Sequence, residues 1–135
     1  MALEISSTLL AGLLNEAANA PDREVCGLLF GTPDRVEAAR SCRNVAPDPR
    51  TAFEIDPAAL IAAHKAERGG GPAIVGCYHS HPNGAALPSP RDAASAPPDD
   101  ALWLILAAGQ GRVFRAVEHG AIEGRFVAVP HRTVE

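Results

Sequence analysis

Apolar residues recur four apart near the start of the chain at Ile5, Leu9 and Leu13, with Leu10, Leu14 and Ala17 alongside. That period lays them on one helical face and predicts a helix from Ser6 or Ser7 to Ala20, stopped by Pro21. Ala18-Asn19-Ala20 has the look of a leader cleavage site. No basic residue precedes the apolar stretch, however, and Glu4 is acidic, so a retained first helix is expected. Val25 to Phe30 is a short apolar run ending at Gly31, suited to a buried strand. Arg35 to Val45 is a weaker strand, followed by a loop with Pro47 and Pro49, and Phe53-Glu54-Ile55-Asp56 reads as extended. Asp56 then caps a helix with Pro57 at its first position, running through Ile61 and Lys65 to the Gly69-Gly70-Gly71 break. Ala73 to His81 is apolar on both faces, as a central strand should be. A proline- and glycine-rich loop, a short helix from Pro90 and a stop at Pro97-Pro98 come next. Strands are expected over Ala101–Ala108, Arg112–Glu118 and Ala121–Val129, the last two joined by His119-Gly120. Helices and strands mix without a regular βαβ beat, which predicts an α+β fold around one sheet. With no repeat and no dividing linker, residues 1–135 are expected to form one domain.

Composition narrows the class. The 135 residues are 47% hydrophobic and 21% charged, a globular balance. A chain of this size removes about two-thirds of its surface from water on folding, enough for a core without staples. No apolar run reaches the roughly 18 residues of a membrane-spanning helix, so no membrane role is expected. The net charge is −4 and Lys65 is the single lysine, so there is no basic stripe for phosphates and nucleic acid is not an expected partner. Cys26, Cys42 and Cys77 cannot all pair and contain no CxxC spacing, which fits reduced thiols in a cytoplasmic protein.

The candidate chemistry lies between residues 79 and 92. His79 and His81 are two apart on a strand, so both imidazoles leave the same face with Cβ atoms about 7 Å apart. Pro82 cannot donate to a sheet ladder, so the pair sits at the mouth of the strand. Asp92 follows a turn-rich loop that can fold its carboxylate back. Two histidines and one carboxylate leave a fourth position for water, the arrangement of catalytic rather than structural zinc. A plainer reading exists for part of this: Ser89-Pro90-Arg91-Asp92 also spells a helix capping box. Cys77 shares the histidine face but reads first as a small buried hydrophobe, and His64, His119 and His131 receive no role.

His79-x-His81-Pro82, six intervening residues, Ser89, two more and Asp92 resemble the signature of the JAMM (MPN+) metalloprotease family. Glu24-Val25-Cys26-Gly27-Leu28-Leu29-Phe30-Gly31 resembles the segment that opens that family's first strand, beginning with its upstream glutamate. Phe53 to Pro57 resembles the segment before its second helix. The likeness spans roughly residues 5 to 108. It implies a fold similar to the cytidine deaminases, a curved mixed sheet with helices on both sides. It also implies that His79, His81 and Asp92 hold zinc with a water, that Glu24 shuttles the water's proton to the leaving amine, and that Ser89 donates to the oxyanion. Glu4, Glu16, Glu37, Glu54 and Glu67 compete for the base but lack the Cys-Gly-Leu-Leu context.

Two functions follow. The resemblance implies a zinc-dependent peptidase or isopeptidase acting on the tail of a ubiquitin-like protein of the sulfur-carrier type. The alternative is a non-catalytic MPN-type scaffold for protein contacts; such scaffolds usually lose ligands, and this chain keeps all of them. A cysteine hydrolase built on Cys26 or Cys77 is more remote. A homodimer is left open.

Overall fold

The computed structural model describes residues 2–135. Eleven elements follow one another: β1 (Leu3–Ser6), α1 (Ser7–Ala18), β2 (Cys26–Thr32), β3 (Arg35–Cys42), α2 (Pro57–Arg68), β4 (Ile74–Ser80), α3 (Pro90–Ser95), β5 (Leu102–Ala107), β6 (Gln110–Gly120), β7 (Gly124–Val129) and β8 (His131–Val134). The eight strands form one mixed sheet in the order β7-β6-β5-β4-β2-β3-β1-β8. β4 and β5 run parallel at its centre, and β2 lies antiparallel to β4.

Central placement explains the composition of these strands. All six positions of β5 are buried, because side chains on both faces of a central strand meet protein. On one face Leu29, Tyr78, Leu102, Leu104, Leu106 and Val113 pack beneath α1, which adds Leu13 and the partly buried Leu9, Leu10, Leu14 and Ala17. On the other face Leu28 and Phe30 meet Ala63 and Leu60 of α2, while Trp103, Ile105, Phe114 and Phe126 gather beside Ala93 of α3. Helices therefore cover both sides, as expected. Gly27 makes room for the Tyr78 ring, which an added Cβ would meet at 2.4 Å. The Tyr78 hydroxyl thereby reaches Glu16 of α1 at 2.7 Å, tying that helix to the central strand.

Several expectations needed adjustment. The joint between the last two strands lies at residues 121–123 rather than at His119-Gly120, since β6 runs through Gly120. Ile5 belongs to β1 rather than to the first helix: Leu3 and Ile5 alternate into the core, and β1 pairs in parallel with both β3 and β8. β8 was not anticipated, since only β1, from the far end of the chain, makes its polar sequence a strand. Phe53 to Asp56 forms no strand of its own and makes a single bridge, Asn44 to Ile55.

Each helix starts where its cap predicts. The Ser6 hydroxyl accepts from Leu9 N at 3.2 Å and the Asp56 carboxylate from Ala58 N at 3.1 Å. No helix among the described residues is long and apolar enough to cross a membrane.

Candidate metal centre

β4 ends with His79 and Ser80, and the chain then runs directly into His81 and Pro82. His81 N donates to Leu106 O at 2.9 Å, so parallel pairing with β5 continues one residue beyond the strand. On the other side Ser80 N donates to Val25 O at 3.0 Å, and Ser80 Oγ accepts from Val25 N at 2.9 Å. These bonds carry the β2–β4 register one step past Cys26↔His79 and hold Glu24 beside the histidines. The sequence offered no reason to single out Ser80. Its side chain leaves the opposite face from the histidines, and its partner lies 55 residues away.

Four side chains converge here. His79 Nε2 lies 3.0 Å from His81 Nε2 and 3.1 Å from Asp92 Oδ2, and His81 Nε2 lies 3.2 Å from the same oxygen. Glu24, His79 and His81 bring ligand atoms within 4.8 Å of one another. His79 is fully buried, and Glu24 and Asp92 are each only 5% exposed. The Phe53 ring stacks on His79 at 4.3 Å, and Trp103 meets the same imidazole edge-on at 5.7 Å. An apolar wall thus backs the cluster.

Asp92 reaches the pair through its helix start. Ser89 N donates to Asp92 Oδ2 at 2.9 Å and Asp92 N donates to Ser89 Oγ at 3.0 Å, a complete capping box. The plainer reading of these residues and the convergence on the histidines are therefore both present. The cap fixes the carboxylate's rotamer, and its oxygen still faces the imidazoles. Ser89 keeps its hydroxyl proton free to donate, because the cap uses the oxygen only as an acceptor.

The donor set fits a divalent cation. His81 Nδ1 faces Ala85 O at 2.9 Å and so carries the proton, which leaves Nε2 a bare lone pair. One proton among the two Nε2 atoms and the carboxylate can satisfy only one contact. A cation satisfies all three. Bonds of 2.0–2.1 Å in a tetrahedron set ligand atoms about 3.3 Å apart, close to the separations observed. Protonation agrees. Burial lowers the His79 pKa and favours its neutral, metal-binding form. Burial pushes Asp92 up, but hydrogen bonds from His79 and His81 overcome it and hold the carboxyl well below the usual range. For His81, burial lowers the pKa, yet Asp92 and the Ala85 carbonyl carry it upward.

Glu24 differs in kind from Asp92. Burial raises its pKa from 4.5 to about 7, with His81 and Arg91 opposing and Asp92 reinforcing. In the metal-free protein Glu24 therefore keeps its proton between pH 4.5 and about 7, where the unfolded chain has already released it. Stability must fall as pH rises through that window. Glu24→Gln mimics the neutral carboxyl and removes this loss. Chelated Glu24→Gln is expected to match the parent below pH 4.5 and to show a higher urea midpoint above pH 7. Parallel midpoints across that range would show that Glu24 ionises freely in the folded state.

Three of the competing glutamates are committed elsewhere. Glu16 holds Tyr78 and Ser41, Glu4 pairs with Arg132, and Glu67 accepts from Ile74 N. Cys77 packs with the Trp103 cluster, and burial pushes the Cys26 thiol up to about 12, poor conditions for a thiolate nucleophile. A groove of about 860 Å³ lies between α2 and the starts of β4 and β5, lined by Leu60, His64, Ile74 and Asp99. It contains none of the four converging residues.

Residues 6–119 match the family described as prokaryotic homologs of the JAB domain. The chain belongs to this family. Over 94 residues, 68% of this chain and 68% of the relative, the JAB chain is 38% identical to a desampylase of Haloferax volcanii. Over 82 residues it is 46% identical to a probable TtuB-protein conjugate cleaving protease of Thermus thermophilus, spanning 61% of this chain but about half (52%) of that relative. Among solved structures, a Desulfitobacterium hafniense protein superimposes with a TM-score of 0.80 at 25% identity, covering 98% of this chain and 93% of that one. A JAB1/MPN domain protein from Archaeoglobus fulgidus shares the fold with a TM-score of 0.57 at 18% identity, over 97% and 98% of the two chains.

Proposed function

We propose that this JAB chain is a zinc-dependent peptidase or isopeptidase that hydrolyses the amide bond at the Gly-Gly tail of a ubiquitin-like, sulfur-carrier-type protein. On this reading residues 1–135 act as one catalytic domain. The observation that carries the reading is the convergence of His79, His81 and Asp92 within 3.2 Å of one another, beside a buried Glu24. The relatives named for cleaving such conjugates support the substrate class. Free Cys26, Cys42 and Cys77 suit a reducing cytoplasm.

His79, His81 and Asp92 would hold the ion. When bound, zinc supplies Lewis acidity, which acidifies water towards neutral pH and polarises the scissile carbonyl. Glu24 takes the proton of the attacking water on a carboxylate oxygen and delivers it to the leaving amine nitrogen. Its burial suits this task, since removal from water raises the proton affinity of the carboxylate that must take the proton. The Ser89 hydroxyl donates to the carbonyl oxygen as it gains charge. Phe53 and Trp103 exclude water from the far side of His79.

Two loops flank this centre and form the receptor for an extended tail. Residues 44–51 reach Glu24 through its N–H to Pro49 O at 2.7 Å, and residues 82–88 fold back so that Ala85 O meets His81. Both are rich in proline and small residues, which lets a backbone approach closely and favours glycine at the cleavage point.

The test is cleavage of a folded ubiquitin-like protein whose Gly-Gly tail is joined to a reporter amine. Hydrolysis after the second glycine is expected, abolished by chelator and slowed when that glycine becomes leucine. Equal cleavage of unrelated unfolded peptides would make it a general peptidase. Tight binding with no hydrolysis would favour the scaffold.

A further inference from the structure

Glu24 lies outside the sheet ladder, two residues before β2 begins. Strand pairing holds the chain only as far as Val25, so the backbone of Glu24 itself needs other partners. Its N–H goes to Pro49 O and its C=O accepts from Asn44 Nδ2 at 2.9 Å, so the 44–54 loop holds its backbone from both directions. Asn44 stands at the neck of that loop, where it bridges Ile55. Val45 N to Glu54 O at 2.9 Å and Asp56 N to Arg43 O at 3.0 Å close the neck.

The Asn44 amide is fully used. Nδ2 donates to Glu24 O and to Ala52 O at 3.0 Å, while Oδ1 accepts from Ala46 N at 3.0 Å and Glu54 N at 3.1 Å. Turning the amide over would set two N–H groups against NH₂ and two carbonyls against an oxygen, so the network admits one orientation. The residue between Ala52 and Glu54 is Phe53, whose ring lies on His79. One amide thus joins the backbone of Glu24 to the segment that packs on His79.

We propose that Asn44 is a positioning residue for the hydrolytic reaction: its amide sets the distance between the Glu24 carboxylate and the His79 side of the centre. This rests on the peptidase reading above and deepens it. Asn44 spends both atoms of its amide on backbone groups and so acts through Glu24 and Phe53. The cluster needs such a device because proton transfer tolerates little misplacement, and a loop without this clasp would let Glu24 move with the connection between α1 and β2.

The experiment compares Asn44→Ala and the isosteric Asn44→Asp, each alone and with Glu24→Gln. In chelated protein, amide hydrogen exchange is expected to quicken by about tenfold or more at Glu24, Val45 and Glu54, with β4 and β5 amides unchanged. In zinc-loaded protein kcat is expected to fall about tenfold or more with KM within about twofold. In the Glu24→Gln background the same substitution is expected to cost less than about twofold, since both changes remove one function. Unchanged exchange at Glu24, or losses that multiply in the double variant, would overturn the inference. So would exchange that quickens evenly across the sheet, which means general destabilisation. If the parent fails to hydrolyse the tail, the peptidase reading fails, and the exchange data still decide whether Asn44 holds Glu24.

Discussion

His79→Ala is expected to leave the chain without bound zinc and to reduce turnover to background. His79 contributes one of three donor atoms that lie 3.0 to 3.2 Å apart. Several kcal/mol of Lewis-acid stabilisation disappear with the ion, and each 1.4 kcal/mol is tenfold in rate, so a loss beyond about a thousandfold is the expectation. Asp92→Ala should lose zinc as well, with an added cost. The Asp92 side chain accepts from Ser89 N and closes the capping box of α3, worth about 1 kcal/mol. Elemental analysis reads the metal in both variants, and thermal melting reads the lost packing of the buried His79 ring in one and the lost cap in the other. Stoichiometric zinc in either variant would remove these residues from the ligand set.

Glu24→Gln gives the opposite pattern, full zinc with a kcat lower by at least about a hundredfold, the usual range for losing a positioned general base. Glutamine keeps the shape and cannot take the proton. Ser89→Ala should lose about 3 kcal/mol of transition-state stabilisation, with a smaller fall in stability from the lost cap acceptor. Full activity in Glu24→Gln would mean that water loses its proton without this carboxylate. Glu16, Glu4 and Glu67 could not replace it, each being engaged by other residues.

The sequence disclosed the ingredients of the site far better than their supports. Histidines two apart before a proline had to share a face at a strand end, because side-chain alternation in a strand is local geometry. Ser89-Pro90-Arg91-Asp92 had to start a helix, because caps are made by residues three apart. The α+β class, the central β4, the start of α1 and the cap of α2 were legible for the same reason: each depends on periodicity or on near neighbours in the chain.

What needed the tertiary structure were the pairings made across long stretches of chain. β8 is polar and becomes a strand only because β1, more than a hundred residues earlier, offers it an edge. Ser80 matters because Val25 meets it, and Asn44 because Glu24, Ala52 and Glu54 meet it, in partnerships that no spacing announces. Glu24 carried a recognisable context in the sequence. Its pKa near 7 did not, since it arises from burial against elements brought together only by folding. Local chemistry thus determined which residues could form the centre. The closing of one loop and the register of β2 on β4 decided that they meet, because hydrogen bonds between distant segments depend on a whole sheet and its covering helices being in place.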